Sequence, residues 1–330
     1  YQGMSRVFSG VQPSGELHIG NYLGALTQWV ALQNEHECIF SIVDLHAITV
    51  PQEPKDLREN ILKTAALYLA VGVDPEKSTL FVQSDVHEHT ELAWILNSIA
   101  KLSELKLMHQ FKEKSKGNPG NITVGLFDYP ILMAADILLY KTALVPVGED
   151  QEQHIELSRE LARRFNSTFG EVFIVPEALL ASRGARIMGL DDPTKKMRKS
   201  ARTVYNYISL TDSSDEIRRK ISRAVTDSGN EIVFSDEKPA LSNLLTMYHL
   251  FSGEPIKEIE MRYLGKGYKQ FKEDLAEAII VTLKPITKKY DQFSADPERL
   301  KSILRAGAQK ASERAAHTMT QVKATVGLGL

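Results

Sequence analysis

Cysteine is almost missing from this chain: Cys38 is the single one in 330 residues. That excludes an internal disulfide, a cysteine-only zinc site and a four-cysteine iron–sulfur cluster. No apolar run approaches the roughly 18 residues needed to cross a bilayer, and no signal-peptide pattern is present, so the expected location is cytoplasmic. Internal repeats and low-complexity tracts are lacking too. Net charge is nearly absent, with 40 Lys plus Arg against 42 Asp plus Glu. What is there is ordinary for a globular protein: 43% hydrophobic and 25% charged residues exclude collagen-like and disordered chains. The length suggests two domains, each able to bury a core. Tyr1-Gln2-Gly3 ahead of Met4 reads as a cloning remnant.

Near-neutrality conceals an asymmetry. Residues 1–194 hold 16 Lys/Arg and 25 Asp/Glu, a balance of −9, whereas residues 195–330 hold 24 and 17, a balance of +7. A basic half can meet a polyanion, but it can equally be a set of solvated helix faces. Five of those cations (Lys195, Lys196, Arg198, Lys199 and Arg202) crowd one short segment. The remaining 19 against 17 acids leave the rest of the back half near +2. Charge is therefore a weak argument for a nucleic-acid partner.

Short β-rich runs alternate with amphipathic ones in the front half, the pattern of βαβ units around a parallel sheet. Strands are predicted at 6–11, 38–43, 79–82 and 143–147. Helices are predicted at about 19–34, 55–71, 89–115, 130–140 and 150–165. Residues 116–121 (Lys-Gly-Asn-Pro-Gly-Asn) read as a loop. Beyond Asp191-Asp192-Pro193 helical periodicity dominates, with segments at 213–224, 269–290 and 297–323, and a domain boundary is expected near 205–212. The fold class is α/β, followed by an α-helical domain.

Two motifs carry chemistry. After the first strand comes Gln12-Pro13-Ser14-Gly15-Glu16-Leu17-His18-Ile19-Gly20-Asn21, where a turn opens into a helix. Free N–H groups at a helix start attract anions, and glycine admits close approach of a nucleotide; a tight turn with an exposed histidine explains the same residues. Far downstream, Thr194-Lys195-Lys196-Met197-Arg198-Lys199-Ser200 puts four cations within five residues. They repel one another unless solvated or facing polyphosphate.

In this order and at this separation, His-Ile-Gly-Asn and Lys-Met-Arg-Lys-Ser resemble the paired ATP-binding motifs of class I aminoacyl-tRNA synthetases. Ile42-Val43-Asp44-Leu45-His46-Ala47-Ile48-Thr49, residues 125–140 (GLFDYPILMAADILLY), 145–151 (VPVGEDQ) and 224–228 (AVTDS) are similar to the bacterial-type tryptophanyl-tRNA synthetase family. The resemblance runs from about residue 7 to 328. It implies a Rossmann-like parallel-sheet catalytic domain over 4–208 and an α-helical anticodon-binding domain over 209–330, whose last helix packs back on the first. It also implies tryptophan activation by ATP and transfer to tRNA(Trp), with Mg²⁺ bound alongside ATP, no dedicated metal ligands, and a homodimer.

Residue by residue, the resemblance places Gln12, Gly20 and Asn21 near the nucleotide, Gly148 and Asp150 on the ribose, and Ile187 with Met197 around adenine. His18, Lys114, Lys196 and Lys199 would serve the phosphates and the reaction. Phe8, His46, Met133, Val145 and Val147 would line the ring pocket, Tyr129 and Gln151 would hold the amino group, and Asp136 would read the indole N–H. Tyr129, Met133 and Asp136 fall at i, i+4 and i+7, one face of a helix. An indole has one N–H donor and no acceptor, which suits a carboxylate in an apolar cleft; plain core residues and a paired buried acid would look the same in sequence. Three positions depart from the family pattern: Asn21 where many class I enzymes have histidine, Leu45 where glutamine usually follows the aspartate, and Arg198 where a small serine is usual. Tyrosyl-tRNA synthetase, a nucleotidyltransferase without an RNA partner and a non-catalytic paralogue remain the competing readings.

Overall fold

The computed structural model describes residues 4–108, 123–148, 151–180, 186–199 and 203–329. Five strands form one parallel sheet in the order β3-β2-β1-β4-β5: β1 (Arg6–Val11), β2 (Glu37–Ile42), β3 (Thr79–Val82), β4 (Leu144–Val147) and β5 (Glu177–Leu180). Strand periodicity divides the core between the two faces of this sheet. Val7, Val11, Cys38, Phe40, Ile42, Leu80 and Val82 enter one cluster, while the residues between them, Phe8, Ile39 and Phe81, enter the other. Buried on both sides, these strands read as nearly continuous apolar runs.

Along the chain follow α1 (Ile19–Asn21), α2 (Thr27–Leu32), α3 (Asp44–Ala47), α4 (Pro54–Val71), α5 (Glu88–Asn97), α6 (Leu102–Leu107), α7 (Val124–Leu138) and α8 (Glu152–Phe169). The expected helix over 19–34 is split, because Tyr22–Leu26 takes the wider π-helical winding between α1 and α2. Such insertions recur at functional sites, and here Ala25 and Leu26 line a cavity. Helix α7 starts six residues before its expected start at about 130, capped by Thr123 and carrying Pro130 inside it. Over the expected 89–115, two short helices, α5 and α6, replace one continuous run, and 109–115 lie outside the described residues. Strand β5 has no counterpart among the sequence expectations. Its Glu-Ala-Leu-Leu are strong helix formers, overridden by pairing with β4.

The back half is helical among the described residues: α9 (Ser214–Arg223), α10 (Pro239–Ser252), α11 (Ile256–Arg262), α12 (Tyr268–Ser294) and α13 (Pro297–Val326). A capping box between Ser213 and Glu216 starts α9. Helix α13 runs against the edge strand β3. A Cβ on Gly307 would stand 1.9 Å from the Leu80 carbonyl oxygen, so only glycine lets the helix approach so closely. Leu300 and Leu304 join one core cluster and Ala308, Ala311 and Ala315 the other, so the helix straddles the sheet edge and covers it.

Candidate functional site

In a parallel sheet, ligands collect beyond the carboxyl ends of the strands, where the order reverses direction. Here β1 is that point, flanked by β2 and β4. Gln12 follows β1, Asp44 stands two residues beyond β2, Gln83 follows β3 and Gly148 follows β4. The polar residues thus gather at one end because four strands stop there.

The β1 turn carries His18 as the N-cap of α1. Its Nδ1 accepts the Gly20 N–H at 3.1 Å, and its own N–H donates to Asn21 Oδ1 at 3.0 Å. With Nδ1 accepting, the ring proton of neutral His18 sits on Nε2. Burial, then the nearby charge of Lys196, lower its pKa from 6.5 to about 4, against a smaller opposing effect of Glu16. His18 is therefore a neutral donor at physiological pH. A Cβ at Gly20 would meet the His18 ring at 2.9 Å, so glycine is required beneath it.

Residues nearly two hundred positions away brace this turn. Ile19 N–H donates to Ile208 O (3.0 Å) and Leu210 N–H to Leu17 O (2.9 Å). The bracing segment is tied down by the buried pair Lys220–Asp212, 2.5 Å apart. The basic loop also returns to the turn: Lys199 Nζ lies 3.0 Å from Glu16 Oε2 and 3.2 Å from Ser14 O. Together Gln12, Ser14, Glu16, His18, Asn21 and Lys199 border a cavity of about 290 Å³, whose inner wall includes Trp29 and Tyr68. Ile187 and Met197 are nearly sealed from solvent, with Met197 N–H donating to Ile187 O at 3.0 Å. Ile187 also backs the Gly20 position. Asn206 holds the loop from inside, accepting the Arg198 N–H at 3.0 Å and donating to Asp191. The Arg198 and Lys196 side chains are exposed.

Beside this cavity lies a second group, walled by aromatic rings. Phe8 stacks on Tyr140, with centroids 5.8 Å apart and 12° between planes. His46 meets Tyr129 edge-on at 6.1 Å. Met133 and Val147 pack on the cluster containing Phe8 and Val145. Tyr129 Oη bonds His154 Nε2 at 2.9 Å, and burial pushes the Tyr129 phenol up to about 12. Gln151 N–H donates to Gly148 O at 3.0 Å at the start of α8.

Asp136 is the centre of this group, 1% exposed. Its carboxylate accepts from His46 Nε2 (2.7 Å), Gln83 Nε2 (2.7 Å) and His89 Nδ1 (2.6 Å). Burial alone would raise its pKa, yet the charge and hydrogen bonds of His46 and His89 hold it below the usual carboxylate range. An ionised acceptor is thereby kept among buried apolar and aromatic side chains.

Of the residues named from sequence, Lys114 and Asp150 lie outside the described residues. Gln12, His18, Asn21 and Lys199 border the cavity, with Gly20, Ile187, Lys196 and Met197 in the turn and loop beside it; Phe8, His46, Tyr129, Met133, Asp136, Val145 and Val147 make up the second group, and Gly148 and Gln151 are joined to each other beyond β4. Gln83, His89, Tyr140, Glu16 and Asn206 were missed. Gln83 could have been found, because it directly follows a strand that ends among functional loops. Leu45, where a side-chain amide was expected, does not leave the pocket without one: its backbone N–H donates to Gln83 Oε1 at 3.1 Å, and the Gln83 amide faces Asp136.

The family model for tRNA synthetases class I (W and Y) matches residues 2–284. A tryptophan–tRNA ligase of Caldanaerobacter subterraneus subsp. tengcongensis is 54% identical over 326 residues, 98% of this chain and 99% of that protein. One of Listeria monocytogenes is 53% identical over 98% of this chain and 97% of that protein. Among solved structures, tryptophanyl-tRNA synthetase from Mycoplasma pneumoniae superposes with a TM-score of 0.88 at 38% identity, covering 99% of both chains. The Campylobacter jejuni enzyme complexed with ADP and tryptophan gives 0.86 at 39% identity, covering 98% of this chain and 100% of that one.

The His18 environment sets a pH dependence. Its pKa is about 4 in the fold against the ordinary 6.5 of a free histidine, so between those pH values the unfolded chain binds the extra proton. Stability therefore falls as pH drops through that window, by up to about 3 kcal/mol at 1.36 kcal/mol per unit. In His18→Asn, which keeps a capping oxygen, the loss of stability between about pH 7 and pH 4.5 should be smaller by that order. Denaturant unfolding at the two pH values measures it, and identical losses in wild type and variant would contradict the assignment.

Proposed function

This chain belongs to the class I tRNA synthetases for tryptophan and tyrosine, and we propose that the cavity at the β1 turn and the residues around Asp136 divide the work of activating tryptophan. The enzyme is a tryptophan–tRNA ligase. It activates L-tryptophan with ATP to tryptophanyl-adenylate and pyrophosphate, then transfers tryptophan to the terminal ribose of tRNA(Trp). The observations that carry the proposed division are the convergence of His18 and Lys199 on one cavity at the β1 turn and the separate burial of Asp136 among donors from beyond β2 and β3.

In this reading ATP occupies the cavity at the β1 turn. Gln12, Gly20 and Asn21 approach the nucleotide, Gly148 and Asp150 take the ribose, and Ile187 with Met197 bracket adenine. The tryptophan carboxylate attacks the α-phosphorus, the bond to the bridging oxygen breaks, and pyrophosphate leaves. Neutral His18 donates through Nε2–H to phosphate oxygen, while Lys114, Lys196 and Lys199 offset the developing charge. Preorganised donors and in-line placement supply the rate enhancement without a covalent enzyme intermediate. Lys199 exchanges Glu16 for phosphate when ATP enters. Mg²⁺ would accompany ATP and offset phosphate charge, and an ion that keeps several waters would need no dedicated protein ligands. The terminal ribose hydroxyl of tRNA, the 2′-OH in this class, then attacks the adenylate carbonyl, and AMP departs.

Specificity comes from the second pocket. Phe8, His46, Met133, Val145 and Val147 enclose the indole, Tyr129 and Gln151 hold the amino group, and Asp136 accepts the indole N–H. A side chain without that donor strands a desolvated carboxylate, a penalty that can reach about 10⁴–10⁵ in discrimination.

Residues 4–208 form the proposed catalytic domain and 209–330 the anticodon-binding domain, in the cytoplasm. No described helix is long and apolar enough to cross a membrane. A homodimer is supported by apolar side chains left in solvent on neighbouring elements: Ile48, Trp94, Leu102, Leu107 and Val124. Helix α7 adjoins both α5 and α6. A side chain on its Gly125 would meet Thr49 Cγ2 at 3.8 Å. A patch of this kind marks an interface.

Two experiments test these proposals. Amino-acid-dependent ATP–pyrophosphate exchange should be driven by tryptophan, with tyrosine about 10³-fold poorer or worse. Arg198 stands exposed in the basic loop and its guanidinium fork suits a phosphate oxygen, so Arg198→Ser should raise the KM for ATP by about 3- to 10-fold, as loss of one charge-assisted phosphate contact would. Exchange driven best by another amino acid, or none at all, contradicts the proposal. Analytical ultracentrifugation should give a dimer for wild type and a monomer for Trp94→Glu; a monomeric wild type rules out the interface.

A further inference from the structure

Behind Asp136 lies a layer of polar side chains that the reaction itself does not use. His89 is 0% exposed and spends both ring nitrogens: Nδ1 on Asp136 Oδ1 at 2.6 Å, Nε2 on Tyr140 Oη at 2.7 Å. Tyr140 is also fully buried, and burial, reinforced by the Asp136 charge, pushes its phenol well up, so it stays protonated. The proton positions follow from chemistry. An ionised carboxylate can only accept, so His89 must donate through Nδ1–H. The other ring nitrogen, Nε2, pairs with the Tyr140 hydroxyl. Tyr140 in turn stacks on Phe8, a wall of the ring pocket, and meets Phe81 edge-on at 6.0 Å. His89 is thus held in place by a phenol that the surrounding core keeps still.

The carboxylate is occupied unevenly. Oδ1 accepts from both Gln83 and His89, which uses its two lone-pair directions. Oδ2 accepts only from His46 among the described residues. Gln83 is itself fixed, because its Oε1 takes the Leu45 N–H. One acceptor direction on Oδ2 is left over, and its aim depends on the two donors that pin Oδ1.

We infer that His89 is a positioning residue for tryptophan selection: by saturating Oδ1 together with Gln83, and locked by Tyr140, it leaves Asp136 with a single open lone pair on Oδ2, and that lone pair is the indole N–H acceptor. This rests on the reading that Asp136 contacts the indole. Burying Gln83, His89, Asp136 and Tyr140 together costs desolvation that an apolar core would avoid. That cost is offset if the layer holds a reader in place.

The test compares exchange with tryptophan and with β-benzothienylalanine, whose sulfur replaces the indole N–H. His89→Leu should raise the KM for tryptophan about 10- to 100-fold with kcat and the KM for ATP within about 3-fold, and should reduce the preference for tryptophan over the analogue by about 10-fold or more. His89→Asn places its amide N–H where Nδ1 stands and should restore most of the preference; His89→Gln places its amide nearer the Nε2 position and should not. Equal behaviour of the Asn and Gln variants, whether both fail or both match wild type, overturns the inference, and this comparison survives even if His89→Leu does not fold. Asp136→Asn separates the two layers. If it keeps the wild-type preference, the indole reading fails; if it loses the preference while every His89 variant keeps it, only the positioning role fails.

Discussion

A charged carboxylate buried to 1% exposure is the constraint around which this molecule is arranged. An ion of that kind persists in a core only when its oxygens are hydrogen-bonded. Asp136 obtains its donors from three different segments: His46 from α3, Gln83 from the end of β3 and His89 from α5. Helix α7, which carries the acid, is thereby tied to the ends of β2 and β3. Ser84 reinforces the tie by donating its backbone N–H to Asp44 at 3.0 Å. The same contacts that make the charge tolerable make its position definite.

The β1 turn depends on the opposite physics, on loops that meet without being buried. Glu16 and Lys199 are both partly exposed, and their pairing contributes little to stability. Its significance is geometric, since it shows that the basic loop reaches the β1 turn. Asn206 and the backbone bridge from Met197 to Ile187 set the reach of that loop from within. The two sides meet at β1: Phe8 faces the aromatic pocket, Val7 and Val11 face the other core, and the turn that follows carries His18. A strand's alternation thus joins two clusters with one element.

Much of this was legible in the sequence, for identifiable reasons. Strands such as 79–82 are short apolar runs closed by turn residues, and the structure has them at those positions. His18, Asp136 and the basic loop stand in local patterns that a reader of sequence can see. Strand β5 was not legible because its composition favours helix and only pairing with β4 decides otherwise. His89 and Tyr140 were not legible because their meaning is a conjunction. They are 51 positions apart, and only the packing of α5 on α7 brings their side chains to 2.7 Å. Glu16 and Asn206 belong to the same class, polar residues whose partners are far away in the chain.

The central claim is that an ionised Asp136 accepts the indole N–H, and the most direct measurement watches that proton. Tryptophan labelled at the indole nitrogen, bound to the wild-type enzyme, should show an indole N–H resonance shifted well downfield and protected from exchange with water. An N–H signal at its free-solution position, exchanging as fast as in free tryptophan, would contradict the account.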